Sequence, residues 1–436
     1  MSAQAEAARL TAALVSRRCG LLRELAPQGR GPEEPCPPHL WTATLAHYDF
    51  RPAPLSERLN AGKGRSEAEA QLSALGEAIE RYSAYHWDPA RIRVGPAAPG
   101  AITPADCVLH SDAQYAGGLP YPRWTPQTAT SWITGVELPS GRPVELPAAL
   151  VYLVSPTPAP ADHVTAITSN GLAAGADLER AILGGLYELI ERDALMITWL
   201  NRLPATLIQP PETGCMAAAI IRHYRRFGVQ VRLLSLATDQ APLVVMAVAD
   251  NPEPGHGARV IGMGCDLDPA GAIDKAVFEL CQSRPSLASR LAKDDPAGRL
   301  KTHADVRELD DHPLFHALPR NLAEFDFLFA GERQARLEDL PRPDPAATPA
   351  DALARVVAAA TASGARVAYA EITAPDIAPL GPRVVRCFAT GLQPIHFGAG
   401  EGRFGGRRLF DAPVRWGLRD APLAEAELNP CPHPLA

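Results

Sequence analysis

Three stretches set carboxylates and arginines at helical spacing among apolar residues. The first reads Ser73-Ala-Leu-Gly-Glu77-Ala-Ile-Glu80-Arg81, the second Glu188-Leu-Ile-Glu191-Arg192, and the third Glu279-Leu-Cys-Gln282-Ser-Arg284. Residues three, four and seven apart share one side of a 3.6-residue helix. Each polar side is flanked by apolar neighbours: Leu75 and Ile79, then Leu186, Leu189 and Ile190, then Val277, Phe278 and Leu280. A carboxylate carried towards a buried face costs several kcal/mol unless it is paired. In any one helix an ion pair with the adjacent arginine meets that need. Recurrence in all three points to a shared task. A hard cation such as Mg2+ takes oxygen ligands from a few carboxylates plus substrate phosphates, and arginine matches phosphate oxygens in a planar, bidentate way. Carboxylates for metal with arginines for phosphate describe an ATP site made from helix faces.

The elements that must position these groups are legible in part. A helix is expected over 66–87, opened by the capping-box pair Ser66 and Glu69. Further helices are expected from about Asp177 to Leu200, from Pro269 to Ala292, over 349–363, and as one or two helices over 4–26. Strands are expected over 39–50, twice within 229–250, in ARVAYAEI, PRVVRCFAT and LQPIHFG, and in a hairpin around Ser140-Gly141. A proline- and glycine-rich break at Pro27–Pro38 follows the first helical stretch. The small polar loop Thr168–Gly175 leads into the second acidic helix, where backbone N–H groups can meet an anion and Asp177 can cap. The mixture of strands and helices gives an α/β (α+β) class, with no internal repeat of 20–50 residues in the sequence.

Composition narrows the function. The chain has 436 residues, 46% hydrophobic and 21% charged, with a net charge of −7. That composition is globular, and the negative balance argues against nucleic acid as the main partner. No apolar run approaches the roughly 18 residues of a membrane span, and no signal peptide opens the chain. Eight scattered cysteines contain no CxxC pair, so they read as reduced thiols of a cytoplasmic enzyme without zinc-type spacing. Gly62-Lys63-Gly64 lacks the spacing and the Ser/Thr of a P-loop. Gly400–Gly405 matches G-x-G-x-x-G, but with no strand-turn-helix unit around it and no helix expected to follow. No HExxH and no GxSxG is present.

Taken together, GKG with Lys63, SALGEAIER, SNGLAAG, ELIERDA and ELCQSR resemble the YcaO family, in this order and at similar spacing from about residue 48 onwards. The resemblance implies an N-terminal helical segment (1–47) and a YcaO domain (48–436) whose mixed sheets and acidic helices enclose ATP and Mg2+. It implies that Lys63, Ser73, Arg81, Asn170, Arg192, Gln282 and Arg284 contact the nucleotide, and that Glu77, Glu80, Glu188, Glu191 and Glu279 serve magnesium. One departure is Glu179-Arg180, where some relatives carry an acidic residue at the position of Arg180. The family uses ATP to activate a backbone amide oxygen, so no enzyme nucleophile is needed.

Within the family, azoline-forming cyclodehydratases (D-proteins) let a Cys, Ser or Thr side chain attack the amide, whereas relatives form thioamides or amidines; a non-catalytic precursor-docking scaffold is the alternative of another class. Azoline formers tend to end in alternating prolines, and this chain ends Pro430-Cys-Pro432-His-Pro434-Leu-Ala436. Such a segment favours stiff polyproline II and can push a terminus into a pocket; a solvated low-complexity tail is the alternative. No general base is singled out, and His433 is the candidate the tail offers. The resemblance places the chain in the biosynthesis of thiazole/oxazole-modified microcins and related peptide antibiotics. It implies a ribosomal precursor peptide as substrate, a separate leader-binding partner (E1-like or ThiF-like), a flavin dehydrogenase acting afterwards, and a homodimer, with no nucleic acid and no membrane. The 47 residues before the domain are too few for a fused leader-binding domain.

Overall fold

The computed structural model describes residues 2–46, 59–154, 162–251, 254–342 and 346–435. Three sheets carry the fold. The first is β1 (Leu22–Pro27), β2 (His39–Leu45) and β3 (Leu59–Gly64), antiparallel in that order. The second runs β4 (Ile92–Gly95), β5 (Thr130–Leu138), β13 (Val367–Glu371), β14 (Arg383–Ala389), β7 (Leu172–Gly175), with β6 (Arg142–Pro147) also paired to β5. The third runs β11 (Arg259–Asp266), β10 (Leu243–Asp250), β9 (Gln230–Leu236), β8 (Thr206–Ile208), β12 (Gln334–Ala335), and only the β8–β12 pair is parallel. The described helices of eight residues or more are α1 (Ala3–Leu14), α2 (Glu67–Ala84), α3 (Leu178–Leu200), α4 (Ala217–Arg226), α5 (Pro269–Leu291), α6 (Pro349–Ala362) and α7 (Arg408–Arg415). None is long and apolar enough to cross a membrane.

The three acidic helices are α2, α3 and α5, and strands tie them into a ring. Strand β3 packs on both α2 and α5, β7 and β14 on both α2 and α3, and β11 on both α3 and α5. Close approach is bought by glycine. A Cβ at Gly62 would lie 2.1 Å from the Ala74 nitrogen and 2.2 Å from the Ala70 oxygen. On β11, a Cβ at Gly264 would meet the Ala272 oxygen at 2.2 Å and the Ala276 nitrogen at 2.5 Å. The GKG turn is thus a strand whose glycines let it lie directly on a helix backbone, presenting Lys63 between them.

Several expectations need correction. The stretch 4–26 is not helical throughout: α1 ends at Leu14, and Leu22 enters β1 against Leu45, because a Gly20 turn doubles the chain back. The strand at 39–50 is described only as His39–Leu45; residues 47–50 lie outside the described residues. The segment LQPIHFG is irregular, since its polar groups go to side chains: the Gln393 amide donates to Asp193 and the Gly398 amide to His312. The loop at 168–175 contains strand β7, paired with β14, so only part of it is free to meet an anion. Strand β11 has no counterpart among the expected elements, because Arg259–Asp266 is buried almost throughout and shows no alternation. A helix, α7, does follow Gly400–Gly405, yet residues 390–405 hold no strand leading into it, so the stretch is not a strand-turn-helix dinucleotide unit.

Candidate active site

Each acidic helix begins with a side-chain cap and reaches its first glutamate after the same number of residues. Ser66, Asp177 and Asp268 are the N-caps, and the steps from Ser66 to Glu77, Asp177 to Glu188 and Asp268 to Glu279 are all eleven residues. Three more residues reach Glu80, Glu191 and Gln282. At 1.5 Å rise per residue, every pair sits about 16 Å along its helix. The caps fix where each helix starts, and the sequence sets each first glutamate the same distance beyond. This register is visible in the sequence only once the caps are known.

The ring of helices brings these groups within one field. On α2, Glu77 accepts from the Ala61 amide (2.8 Å) and pairs with Arg81 (3.0 Å). On α3, Arg192 donates to Glu191 at 2.7 Å and lies 3.8 Å from Glu188. Lys63 crosses from β3 to Glu279 on α5 at 2.8 Å, and the Met263 amide of β11 also points to Glu279. Burial pushes Glu80 well above the ordinary carboxylate range, with Glu188 and then Glu77 adding to it. Burial also raises Glu188, against Arg192 and Arg386, and lifts Glu191 to about 7. Burial opposes the charge on Glu279 too, but Lys63 and Arg192 hold that carboxyl below its usual value. Burial thus disfavours charge on Glu80, Glu188 and Glu191, while Lys63 and Arg192 keep Glu279 ionised.

Two amide oxygens have the same unmet need. Asn170 Oδ1 and Gln282 Oε1 are buried without a hydrogen-bond partner. Oxygens of Glu80, Glu188, Glu191, Glu279, Asn170 and Gln282 form an all-oxygen donor set that suits a hard divalent cation. Among the described residues no three of these carboxylates close to within 4.8 Å of one another. They do not form a ready-made cage, in keeping with a Mg2+ ion that takes part of its shell from phosphate and water.

Ser73 sits one turn before Glu77 on the solvent side of α2 and is exposed. Arg284 is not brought to the cluster. It lies five residues after Glu279, rotated off that face, and is buried against Glu34 at 2.9 Å with its guanidinium 4.9 Å above the Tyr224 ring. Glu179 and Arg180 are exposed on the first turn of α3, where Arg180 pairs with Asp177, the helix cap. Arg386, in the middle of apolar β14, escaped sequence reasoning. It is 5% exposed, donates to the Thr168 carbonyl at 2.7 Å, and keeps Nη1 unpartnered. Burial lowers it to about 10, while Glu188 and Glu80 support its charge. A charged residue inside the run Arg383–Ala389 is the signal that could have found it. With Asn170, Cys107 and Arg403 it lines a cavity of about 60 Å3.

The tail is buried, not solvated. Pro430 is exposed, Pro432 half-buried, and Pro434 and Leu435 buried; Ala436 lies outside the described residues. Trp199 at the end of α3 donates to the Cys431 carbonyl (2.7 Å), His316 to Pro432 (2.7 Å) and His312 to His433 (2.7 Å). The His433 ring donates from Nε2 to the His396 carbonyl at 2.5 Å, its Nδ1 is unpartnered, and burial keeps it neutral within the field of Arg192.

A family model described as YcaO cyclodehydratase, ATP- and Mg2+-binding, matches residues 61–393. An uncharacterized protein of Methanothermobacter thermautotrophicus is 30% identical over 227 residues, covering 51% of this chain and 56% of that protein. A heterocyclase solved in complex with substrate and cofactor superposes with a TM-score of 0.82 at 26% identity, covering all of this chain and 57% of the other. This chain thus spans just over half the length of those two relatives. The YcaO protein of Methanopyrus kandleri, solved with AMPPCP and Mg2+, shares the fold at a TM-score of 0.64 and 23% identity over 85% of this chain and 86% of its own. Matched over well more than half its length, with an oxygen-rich ring of helices in the matched region, this chain belongs to the YcaO family of ATP- and Mg2+-binding proteins.

Proposed function

We propose that the chain is an ATP-dependent cyclodehydratase acting on backbone amides of a ribosomal precursor peptide. The observation that supports this most is the three-helix ring itself, whose glutamates act on one another electrostatically and whose burial raises Glu80, Glu188 and Glu191. In this reading Glu77, Glu80, Glu188, Glu191 and Glu279 serve magnesium, while Lys63, Ser73, Arg81, Asn170, Arg192 and Gln282 meet the nucleotide. Arg386 joins them as a buried cation with a donor to spare. Arg284 supports the fold instead.

Mg-ATP, when bound, supplies the phosphoryl group that makes the amide oxygen a leaving group. A Cys, Ser or Thr side chain of the substrate attacks the amide carbon. The carbon–oxygen bond breaks as that oxygen departs in phosphate. The hydrogens of the nucleophile and the amide nitrogen leave as protons, and thiazoline or oxazoline remains. The protein's residues orient the reactants and neutralise developing charge. The precursor peptide, a separate leader-binding protein and self-association into a dimer belong to the same proposal.

The test combines purified chain, Mg-ATP, precursor and leader-binding partner. Loss of one water mass per modified residue supports the reading. Exchange of oxygen for sulfur, given a sulfide source, would assign a thioamide-forming enzyme instead. Calorimetry without any Mg-ATP binding would leave only a docking scaffold.

A further inference from the structure

The sequence holds no zinc-type spacing, but the fold assembles one cluster of soft and borderline ligands that includes none of the acidic ring residues. His303 opens a short 3-10 turn (His303–Asp305), Glu324 sits in the 3-10 segment Pro319–Phe325, and Cys431 belongs to the C-terminal tail. One donor atom from each lies within 4.8 Å of the other two, the only such group of three among the described residues. His303 Nε2 and Glu324 Oε1 are 3.2 Å apart. A tetrahedral zinc ion with bonds of about 2.0–2.3 Å needs ligand atoms about 3.3–3.6 Å apart. The His303–Glu324 pair is close to that spacing, and the Cys431 sulfur lies within 4.8 Å of both.

The scaffold around the cluster is fixed by main-chain bonds. The Cys431 carbonyl accepts from Trp199, its amide donates to Asn429 Oδ1 (3.2 Å), and Asn429 is bonded to Leu200 and Trp199. Asp305 caps the turn of His303 through Thr302. Arg259 holds the carbonyl of Leu322, two residues before Glu324. Access is one-sided. The Cys431 side is buried at 2% exposure, whereas the His303 and Glu324 side chains keep 35% and 32%. Solvent therefore reaches the cluster at one corner, where a fourth ligand would stand.

We propose that His303, Glu324 and Cys431 bind one Zn2+, with water in the fourth position, and that this ion clips the C-terminal tail to the body of the protein. Imidazole, carboxylate and thiolate together form a set suited to zinc and not to magnesium. Binding replaces the Cys431 S–H bond with a sulfur–zinc bond and releases the proton. The site stands independently of the acidic ring and of the proposed reaction. Its mechanical effect is on the segment that continues, two residues later, to His433.

The test uses the full chain, stripped with EDTA and then titrated with Zn2+ against a chromophoric chelator, and separately with Co2+. One equivalent of tight Zn2+ and a thiolate-to-cobalt charge-transfer band are expected. Cys431→Ala should abolish the band, and His303→Ala and Glu324→Gln should each weaken Zn2+ binding by at least about 100-fold. Zinc should also protect the tail from carboxypeptidase in the wild type. Absence of a thiolate–cobalt band in the folded wild type overturns the site. So does a band of full intensity in Cys431→Ala, which would place the thiolate among the other seven cysteines.

Discussion

Replacing Arg284 with methionine separates two roles that the ELCQSR motif leaves open. The guanidinium donates from Nε to Glu34 Oε1 at 2.9 Å, and the two side chains are only 1% and 2% exposed. Tyr224 donates to the other Glu34 oxygen at 2.5 Å and lies beneath the guanidinium. Removing one member of a buried pair costs about 3–5 kcal/mol, because the remaining charge stays desolvated. The tyrosine bond survives in Arg284→Met, which places the expected loss near the lower end, about 3 kcal/mol. Glu34→Gln combined with Arg284→Met removes both charges and should recover most of that loss. Urea unfolding followed by circular dichroism measures the effect, and titration with a fluorescent ATP analogue runs alongside. The expected outcome is a lower unfolding midpoint with nucleotide affinity in the surviving folded protein within about threefold of wild type. Unchanged stability together with an affinity loss beyond about tenfold would refute the reasoning and return Arg284 to the nucleotide.

Glu191→Gln should keep the fold but weaken Mg2+-dependent nucleotide binding by at least about tenfold, read by calorimetry with and without Mg2+. Gly62→Ala forces a Cβ to within 2.1 Å of the Ala74 nitrogen, so a destabilisation of about 1–3 kcal/mol and displacement of Lys63 are expected by thermal melting and ATP titration. Burial lowers His312 to about 4, and His316 and His396 to about 3, so all three are neutral in the fold. Their folded values lie below the unfolded value near 6.5. Their contribution is therefore present above that pH and lost as pH falls from 6.5 towards 4. At pH 5 each loses about 2 kcal/mol. The protection factors of the Asn429, Cys431, His433 and Leu435 amides, corrected for the intrinsic pH dependence of exchange, should fall sharply between pH 7 and 5, and unchanged protection factors there would contradict this.

The sequence by itself determined the acidic helices, because apolar periodicity and cap residues are local signals. Glu77, Glu80, Glu188, Glu191 and Glu279 each stand on a helix that the chain names within a few residues. It also determined the hairpin at Gly141, whose positive φ (70°) suits glycine. Only the tertiary structure decided which polar groups meet. Arg284 and Gln282 are two residues apart, yet a helical rotation of about 200° sends one to Glu34 and leaves the other with an orphaned oxygen. Arg386 stands out as a charge in an otherwise apolar buried strand, but its partners, the Thr168 carbonyl and the field of Glu188 and Glu80, come from distant parts of the chain. His303 and Cys431 are brought together across most of the final third of the chain. Pairing over such distances is fixed by packing and loop closure, not by any local pattern, and no spacing rule in the sequence encodes it.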